Sequence, residues 1–231
     1  YKKLFIFKKI LNENKIKFIY FFIGENFKGK SEKKSLYLNY VLPLKILNYL
    51  LNSSKSRIKV IFFGTFLENE IKTSDNNLDY KKNKIALRQK IVNLNKKKNF
   101  EFIWLKLPII YGYKKMKPSF VNFIIKNLKS NKIIKIDYKF NTISLLHIND
   151  LNRVLKKIKL NWKSYRNKIV SPNTEGPFYL FEFLEAIKKK YKIKNTIFFK
   201  NEKKRKKLIL KNKIIKIRLK GNYLNFFKKY V

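Results

Sequence analysis

Cysteine is absent from the 231 residues, so disulfides, thiolate metal sites and a cysteine nucleophile are excluded. Histidine occurs once, at His147, which argues against a histidine-rich metal centre or a Ser-His-Asp triad. The six glycines (Gly24, Gly29, Gly64, Gly112, Gly176 and Gly221) form no G-x-G-x-x-G triplet, the usual backbone grip on a dinucleotide pyrophosphate. Ala86 and Ala186 are the only alanines. No apolar run approaches the roughly 20 residues that a membrane-spanning helix needs; Phe18 to Ile23 is typical, and there is no signal-peptide layout. Membrane insertion is therefore not expected, and a reducing cytoplasm fits best.

Acidic residues are also scarce: 14 Asp and Glu face 57 Lys and Arg, giving a formal charge of +43 and a pI near 10.3. Such a balance ordinarily points to nucleic acid or an anionic surface. Here the lysines run from Lys2 to Lys229 and accompany an excess of Asn, Ile, Phe and Tyr. These are the residues of A/T-rich codons, so base composition accounts for the charge without a basic-site ligand. The densest run, Lys203-Lys204-Arg205-Lys206-Lys207, reads as a solvated face. No specific nucleic-acid partner is expected.

What is present alternates. Short apolar runs (Phe18–Ile23, Lys59–Phe63, Phe100–Leu107, Ser144–Ile148) are separated by longer amphipathic stretches (Leu36–Leu51, Tyr80–Lys96, Ser119–Lys129, Leu151–Ile158, Tyr179–Tyr191). Strands alternating with helices predict an α/β fold with a parallel sheet. Asn149 or Asp150 is placed to cap the helix from Leu151, and 172–177 reads as a loop.

Two motifs carry chemistry. In Tyr80-x-x-x-Lys84 the two side chains share one helix face, and a nearby ammonium should favour phenolate, lowering a tyrosine pKa from about 10. Gly24-Glu-Asn-Phe-Lys-Gly29-Lys30-Ser31 matches G-x-x-x-x-G-K-[ST], the loop that cradles phosphates in P-loop NTP-binding proteins. Against that reading, no apolar strand ends in the Asp that would hold the metal.

The order of motifs from about Lys17 to Ile197 resembles the extended short-chain dehydrogenase/reductase superfamily, the NAD-dependent nucleotide-sugar epimerases, dehydratases and reductases. The nearest pattern is that of CDP-abequose and CDP-paratose synthase-like enzymes. Leu38-Asn39 through Leu47 resembles the family's Asn-bearing helix. Val60 to Leu67 resembles the strand ending in the catalytic Ser/Thr, and Tyr80-x-x-x-Lys84 the catalytic pair. Leu105 to Gly112 resembles the strand and turn at the nicotinamide pocket. Ser119 to Ile125 and His147-Ile-Asn-Asp150-Leu151 resemble a substrate-side helix and a strand-to-helix landmark.

The resemblance implies a Rossmann-like parallel sheet, N-terminally incomplete, with a small C-terminal substrate-side α/β region. About 50 or more residues of such a fold would precede Tyr1, given that a βαβ unit alone takes about 30. Residues 1–112 plus 144–158 would form the cofactor and catalytic region, and 113–143 plus 159–231 the substrate side. Tyr80 would be the acid/base at the sugar oxygen. Lys84 would assist it and bind the nicotinamide ribose. Thr65 would hydrogen-bond the same sugar oxygen, and Pro108 would line the nicotinamide pocket. The implied cofactor is NAD or NADP and the substrate a nucleotide-sugar; a homodimer is an open assembly. On this reading Gly24–Ser31 follows the family's fourth strand and its P-loop match is coincidental.

The chain departs from the family at three places. Phe22-Ile23 stands where small residues floor the cofactor site, Ile109 where an Asn follows the Pro, and Ile143 where an Arg binds phosphate, with Lys139 a substitute nearby. A degenerate, non-catalytic relative is therefore the alternative. Tyr80 and Lys84 as an exposed pair, Thr65 as a strand end, Asn39 as a buried helix residue, His147 as strand-end packing and Asp150 as a helix cap are the plain alternatives for single residues.

Overall fold

The computed structural model describes residues 18–24, 32–54, 56–69, 78–112, 123–124, 126–127, 130, 133–139, 142–173, 178–194, 196–201 and 215–218. In chain order the elements begin with β1 (Phe18–Phe21) and α1, a helix of Glu32–Leu36, a π-helical turn Tyr37–Val41 and Leu42–Ser53. Then come β2 (Ile58–Thr65), a 3-10 turn (Phe66–Asn69), α2 (Leu78–Asn95), β3 (Phe100–Leu107), β4 (Ile109–Tyr111), β5 (Ile134–Tyr138), β6 (Thr142–Ile143) and β7 (Leu145–His147). The rest are α3 (Ile148–Leu160), α4 (Trp162–Tyr165), β8 (Lys168–Asn173), β9 (Phe178–Tyr179), α5 (Leu180–Tyr191), β10 (Ile197–Asn201) and β11 (Ile215–Arg218).

The expected α/β class and parallel sheet are found: β1, β2, β3 and β8 lie side by side, every pair parallel. β2 and β3 pair along their whole length, from Ile58 opposite Phe100 to Thr65 opposite Leu107. Both are buried almost throughout, which is why they read as near-continuous apolar runs rather than alternating ones. Helices α1 and α2 bury Leu47, Leu50, Leu87 and Ile91 against Val60, Phe62, Phe102 and Trp104. Pro43 follows the π-helical turn within α1, where it supplies no N–H to the helical ladder.

Two compact units divide the chain. Residues 1–107, 161–171 and 208–215 form the first, and 108–160, 172–207 and 216–231 the second. The packing of the first unit has local causes. Asn167, in the left-handed region at φ 58°, brackets Phe102: its N–H donates to the Phe102 carbonyl at 2.6 Å and its Oδ1 accepts the Phe102 N–H at 3.1 Å. Buried Glu101 accepts from the Trp162 indole N–H and from Arg166 at 2.7 Å, and pairs with Arg57 at 3.4 Å. These bonds tie the α4 segment to β3. In the second unit β4 pairs with β7, β5 with β10 in parallel and β6 with β9 antiparallel, around a core that includes Ile134, Ile143, Phe183 and Ile187.

Glu101 makes a stability prediction. Burial pushes its carboxyl up, but the Trp162 and Arg166 hydrogen bonds and the Arg57 charge outweigh that and leave it below its ordinary 4.5. A depressed folded value contributes stability above that ordinary value, lost as pH falls through the folded one. Glu101→Gln should cost about 1–3 kcal/mol near neutrality. It should also flatten the acid side of the stability–pH curve, as urea unfolding at several pH values would register.

Several expected boundaries move. The Leu36–Leu51 helix begins at Glu32 and contains the π-turn; Ser144–Ile148 shortens to Leu145–His147; Ile148 opens α3 three residues before the expected Leu151. Asp150 therefore lies in the first turn of α3 rather than capping it, and pairs with Arg153 at 2.8 Å. The expected loop from Pro172 starts inside β8, and 174–177 lie outside the described residues. Of the Ser119–Lys129 helix, 123–124 and 126–127 are helical and most of the remainder lies outside the described residues.

Candidate active site

The site sits where β2 runs out. Thr65 is its last residue, and the 3-10 turn that follows folds the chain back, so that Thr65 Oγ1 accepts the Leu67 N–H at 3.3 Å and the Thr65 N–H donates to Glu68 Oε1 at 2.8 Å. Tyr80 enters from the first turns of α2, close enough to Thr65 for that side chain to act on its phenol. One helical turn on, Lys84 is buried at 4% exposure with its ammonium 5.9 Å from the centre of the Tyr80 ring. Lys84 Nζ donates to the carbonyls of Ile23, just past β1, and Phe63, near the end of β2, both at 3.2 Å. Thr65, Tyr80 and Lys84 thus converge, and Tyr80 and Lys84 do not form an exposed pair.

Gly24 closes the arrangement from the β1 side. Its φ of 127° is a conformation that side chains disfavour, and a Cβ there would come within 2.6 Å of Asn39 Oδ1 and 2.7 Å of Lys84 Nζ. Asn39 is fully buried in the π-helical turn of α1, a distortion often found at functional sites, and donates to the Ser35 carbonyl at 3.1 Å. Asn83 reaches the same Ser35 through its hydroxyl at 3.3 Å, joining α1 to α2.

The electrostatics overturn one expectation. Lys84 was expected to lower the Tyr80 pKa; instead the phenol is pushed up to about 12, by burial first and by the Glu68 charge second, with the Thr65 hydrogen bond opposing. Lys84 itself is pushed down to about 8 by burial, against the pull of Glu68. The ammonium is turned to two carbonyls, and both groups pay for leaving water. At neutral pH Tyr80 is therefore a protonated phenol.

Beneath these side chains lies a buried charge cluster that the sequence reading missed. Glu68 is fully buried and accepts from the Trp104 indole N–H at 3.1 and 3.2 Å, while Arg88 Nε pairs with it at 3.2 Å. Lys106, also fully buried, is pushed down to about 8, by burial first and by Arg88 as well, with Glu68 opposing. The signal was there: Arg88 repeats the helical phase of Lys84, and Lys106, with Glu101, interrupts an apolar buried strand. Fifty-seven basic residues concealed it.

Other expected residues fall elsewhere. Pro108 is buried at the start of the second unit, directly after β3. His147 is packed rather than free: its Nδ1 accepts the Asn149 N–H at 3.2 Å, and its ring meets the Tyr111 ring edge-on at 5.2 Å. Lys139 lies over the Phe181 and Phe199 rings at 5.7 and 5.9 Å. Phe22 is 67% exposed and stacks on Phe63 with centroids 4.2 Å apart. Of the Gly24–Ser31 motif only Gly24 is described, and the basic run at 203–207 lies outside the described residues. Among the described residues no helix is long and apolar enough to cross a membrane, and no group of three or more His, Asp or Glu could hold a metal ion.

A parallel sheet flanked by helices, with polar side chains gathered at the carboxyl ends of its strands, is the Rossmann-like arrangement. Solved structures share it. The UDP-glucuronic acid 4-epimerase from Bacillus cereus, in complex with NAD, superposes with a TM-score of 0.67 at 14% identity, over 97% of this chain and 71% of its own. Pal from Bacillus thuringiensis gives 0.67 at 15% identity, over 86% of this chain and 66% of its own. RMD from Pseudomonas aeruginosa, complexed with NADPH, gives 0.64 at 10% identity, over 92% and 74%. At such identities the likeness is one of fold. The chain spans just under two thirds of the length of Pal. No protein-family model and no curated protein matches the sequence.

Proposed function

We propose that this chain is an NAD- or NADP-dependent oxidoreductase of the epimerase, dehydratase or reductase kind, acting on a nucleotide-linked sugar. One observation carries the reading: Thr65, Tyr80 and Lys84 converge at the carboxyl end of a parallel sheet. Support comes from the fold shared with the Bacillus cereus epimerase bound to NAD and the Pseudomonas structure bound to NADPH.

The residues fit one end of such a cofactor. An ammonium has three donors, and Lys84 commits two to Ile23 and Phe63, leaving one for a ribose hydroxyl. The pyrophosphate end has no G-x-G-x-x-G turn in these residues. A bound nicotinamide supplies hydride chemistry. Tyr80 then donates its proton to the sugar keto oxygen as that oxygen gains charge, Thr65 hydrogen-bonds the same oxygen, and the resulting phenolate recovers its proton from water. Held near 12, the phenol is protonated at neutral pH and can deliver its proton to a developing alkoxide, a stronger base, in the reductive half of these reactions. A cytoplasmic location and a homodimer belong to the same reading.

Phe22 favours a second reading, since its ring lies over Phe63 at the strand ends where small residues were expected: a relative that has kept the fold and lost the chemistry. Incubation with NAD, NADP and their reduced forms and a panel of UDP-, CDP- and GDP-linked sugars and their keto derivatives separates the two. Conversion of a sugar, with or without a net change in the nicotinamide, supports the enzyme; absence of both cofactor binding and conversion leaves the non-catalytic relative.

Lys84 sets the expected pH profile. Below about 8 its ammonium is charged and can hold the ribose; above, the charge is lost. Log kcat/KM should therefore fall as pH rises through about 8. Lys84→Met should remove that limb and lower kcat/KM by about 10²-fold, and a profile unchanged in the variant would remove Lys84 from the site.

A further inference from the structure

We propose that Glu68 is the positioning residue of this site, holding Thr65 in place for Tyr80, and that Arg88 and Trp104 anchor its carboxylate from below. The inference rests on the reading of Thr65 and Tyr80 given above. Glu68 touches neither the sugar oxygen nor the hydride; it acts through the Thr65 backbone N–H, which it accepts at 2.8 Å.

The geometry is hard to explain as stabilisation alone. A fully buried carboxylate forfeits its hydration, and a buried ion pair is often no better than apolar side chains of the same volume. This one is nevertheless held from three elements: the Thr65 N–H on its own turn, Arg88 on α2 at 3.2 Å, and the Trp104 N–H on β3 at 3.1 and 3.2 Å. Even Gly64 conforms to it, because a Cβ there would collide with both Trp104 Nε1 and Glu68 Oε1. The backbone is pressed onto the carboxylate one residue before Thr65. Thr65 is therefore clamped on both sides, by β2 and by the turn that returns Glu68 to it.

The carboxylate also sets the local charge. Burial pushes the Glu68 carboxyl above its ordinary value, while the Lys106 and Arg88 charges, the Thr65 N–H and the Trp104 hydrogen bond favour the charged form. The carboxylate in turn acts on Tyr80 and Lys84 of α2, raising both. Neutralising it should let the ammonium of Lys84 lose its proton at lower pH, since Arg88 and Lys106 would stand uncompensated.

The test compares Glu68→Met with Glu68→Met/Arg88→Met: methionine cannot accept the Thr65 N–H as a glutamine would, and the second change removes the orphaned partner and so restores the melting temperature. If Glu68 positions the site, both variants lose about 10- to 100-fold in kcat with little change in KM. Both should also show the limb near 8 displaced to lower pH. A double variant that recovers kcat and pH profile together with stability overturns the proposal, leaving a structural ion pair. A readout independent of turnover is the titration of Lys84 by its 13Cε resonance, assigned through its loss in Lys84→Arg. A midpoint that falls in Glu68→Met supports the placement even if the chain transfers no hydride, in which case only the functional reading is lost. An unmoved midpoint overturns the placement.

Discussion

Tyr80→Phe is expected to lower turnover by about 10²–10⁴-fold, the usual worth of a positioned proton donor, while the protein stays folded. The substitution removes one oxygen and leaves the ring that faces the Lys84 ammonium at 5.9 Å. Removing a polar oxygen that burial has already cut off from water should change stability little. Stability and catalysis should therefore separate cleanly, with the melting curve nearly superimposable and the rate collapsed. Because the phenol sits at about 12, no ionisation of Tyr80 should shape the profile near neutrality, and the residual activity of the variant should keep the limb near 8 that belongs to Lys84. The measurement is steady-state oxidation of reduced nicotinamide with an active nucleotide-sugar, beside thermal unfolding of each protein. Full turnover in Tyr80→Phe would sink the assignment of Tyr80 as the proton donor.

Gly64→Ala should be the most damaging single methyl in the first unit. The added Cβ would be driven into the Trp104 indole nitrogen and the Glu68 carboxylate, neither of them a flexible end. Trp104 is fully buried in the core of the first unit and Glu68 is pinned by Arg88, Thr65 and Trp104. Relief requires moving β2 or breaking the charge cluster, and overpacking of this kind costs about 3 kcal/mol. Chemical unfolding followed by tryptophan fluorescence should register the loss. Activity should fall with it even where the variant is fully folded, since Thr65 is the next residue. A variant as stable and as active as the parent would show that the turn is slack rather than clamped.

The two predictions differ in how readily their residues could be read. Tyr80 and Lys84 are legible because helical spacing is a local property: four residues apart means one face, whatever surrounds the helix. The strands β2 and β3 are legible for a similar reason, as continuous apolar runs bounded by Gly64-Thr65 and Pro108. Short strands such as β5 and β10 escaped notice for want of length: β5 alternates over only five residues, β10 does not alternate, and the two pair with each other, Ile134 opposite Ile197. Glu68 was invisible for a different reason. Nothing local distinguishes a glutamate after a strand from any other exposed acid until Trp104 and Arg88 arrive from elsewhere to bury it.

The sequence by itself determined the α/β class, the parallel order implied by alternating elements, and the shared helix face of Tyr80 and Lys84, all consequences of short-range periodicity. Only the tertiary structure decided that Thr65 meets Tyr80, that Lys84 spends its ammonium on Ile23 and Phe63, and that Glu68 lies beneath them. It also reversed the sign of the Tyr80 shift. The physical reason is that a pKa and a hydrogen bond depend on what is excluded from the neighbourhood as much as on what is near. Water is removed from Tyr80 and Lys84 by residues distant in the chain, and that burial outweighs the pair's own proximity.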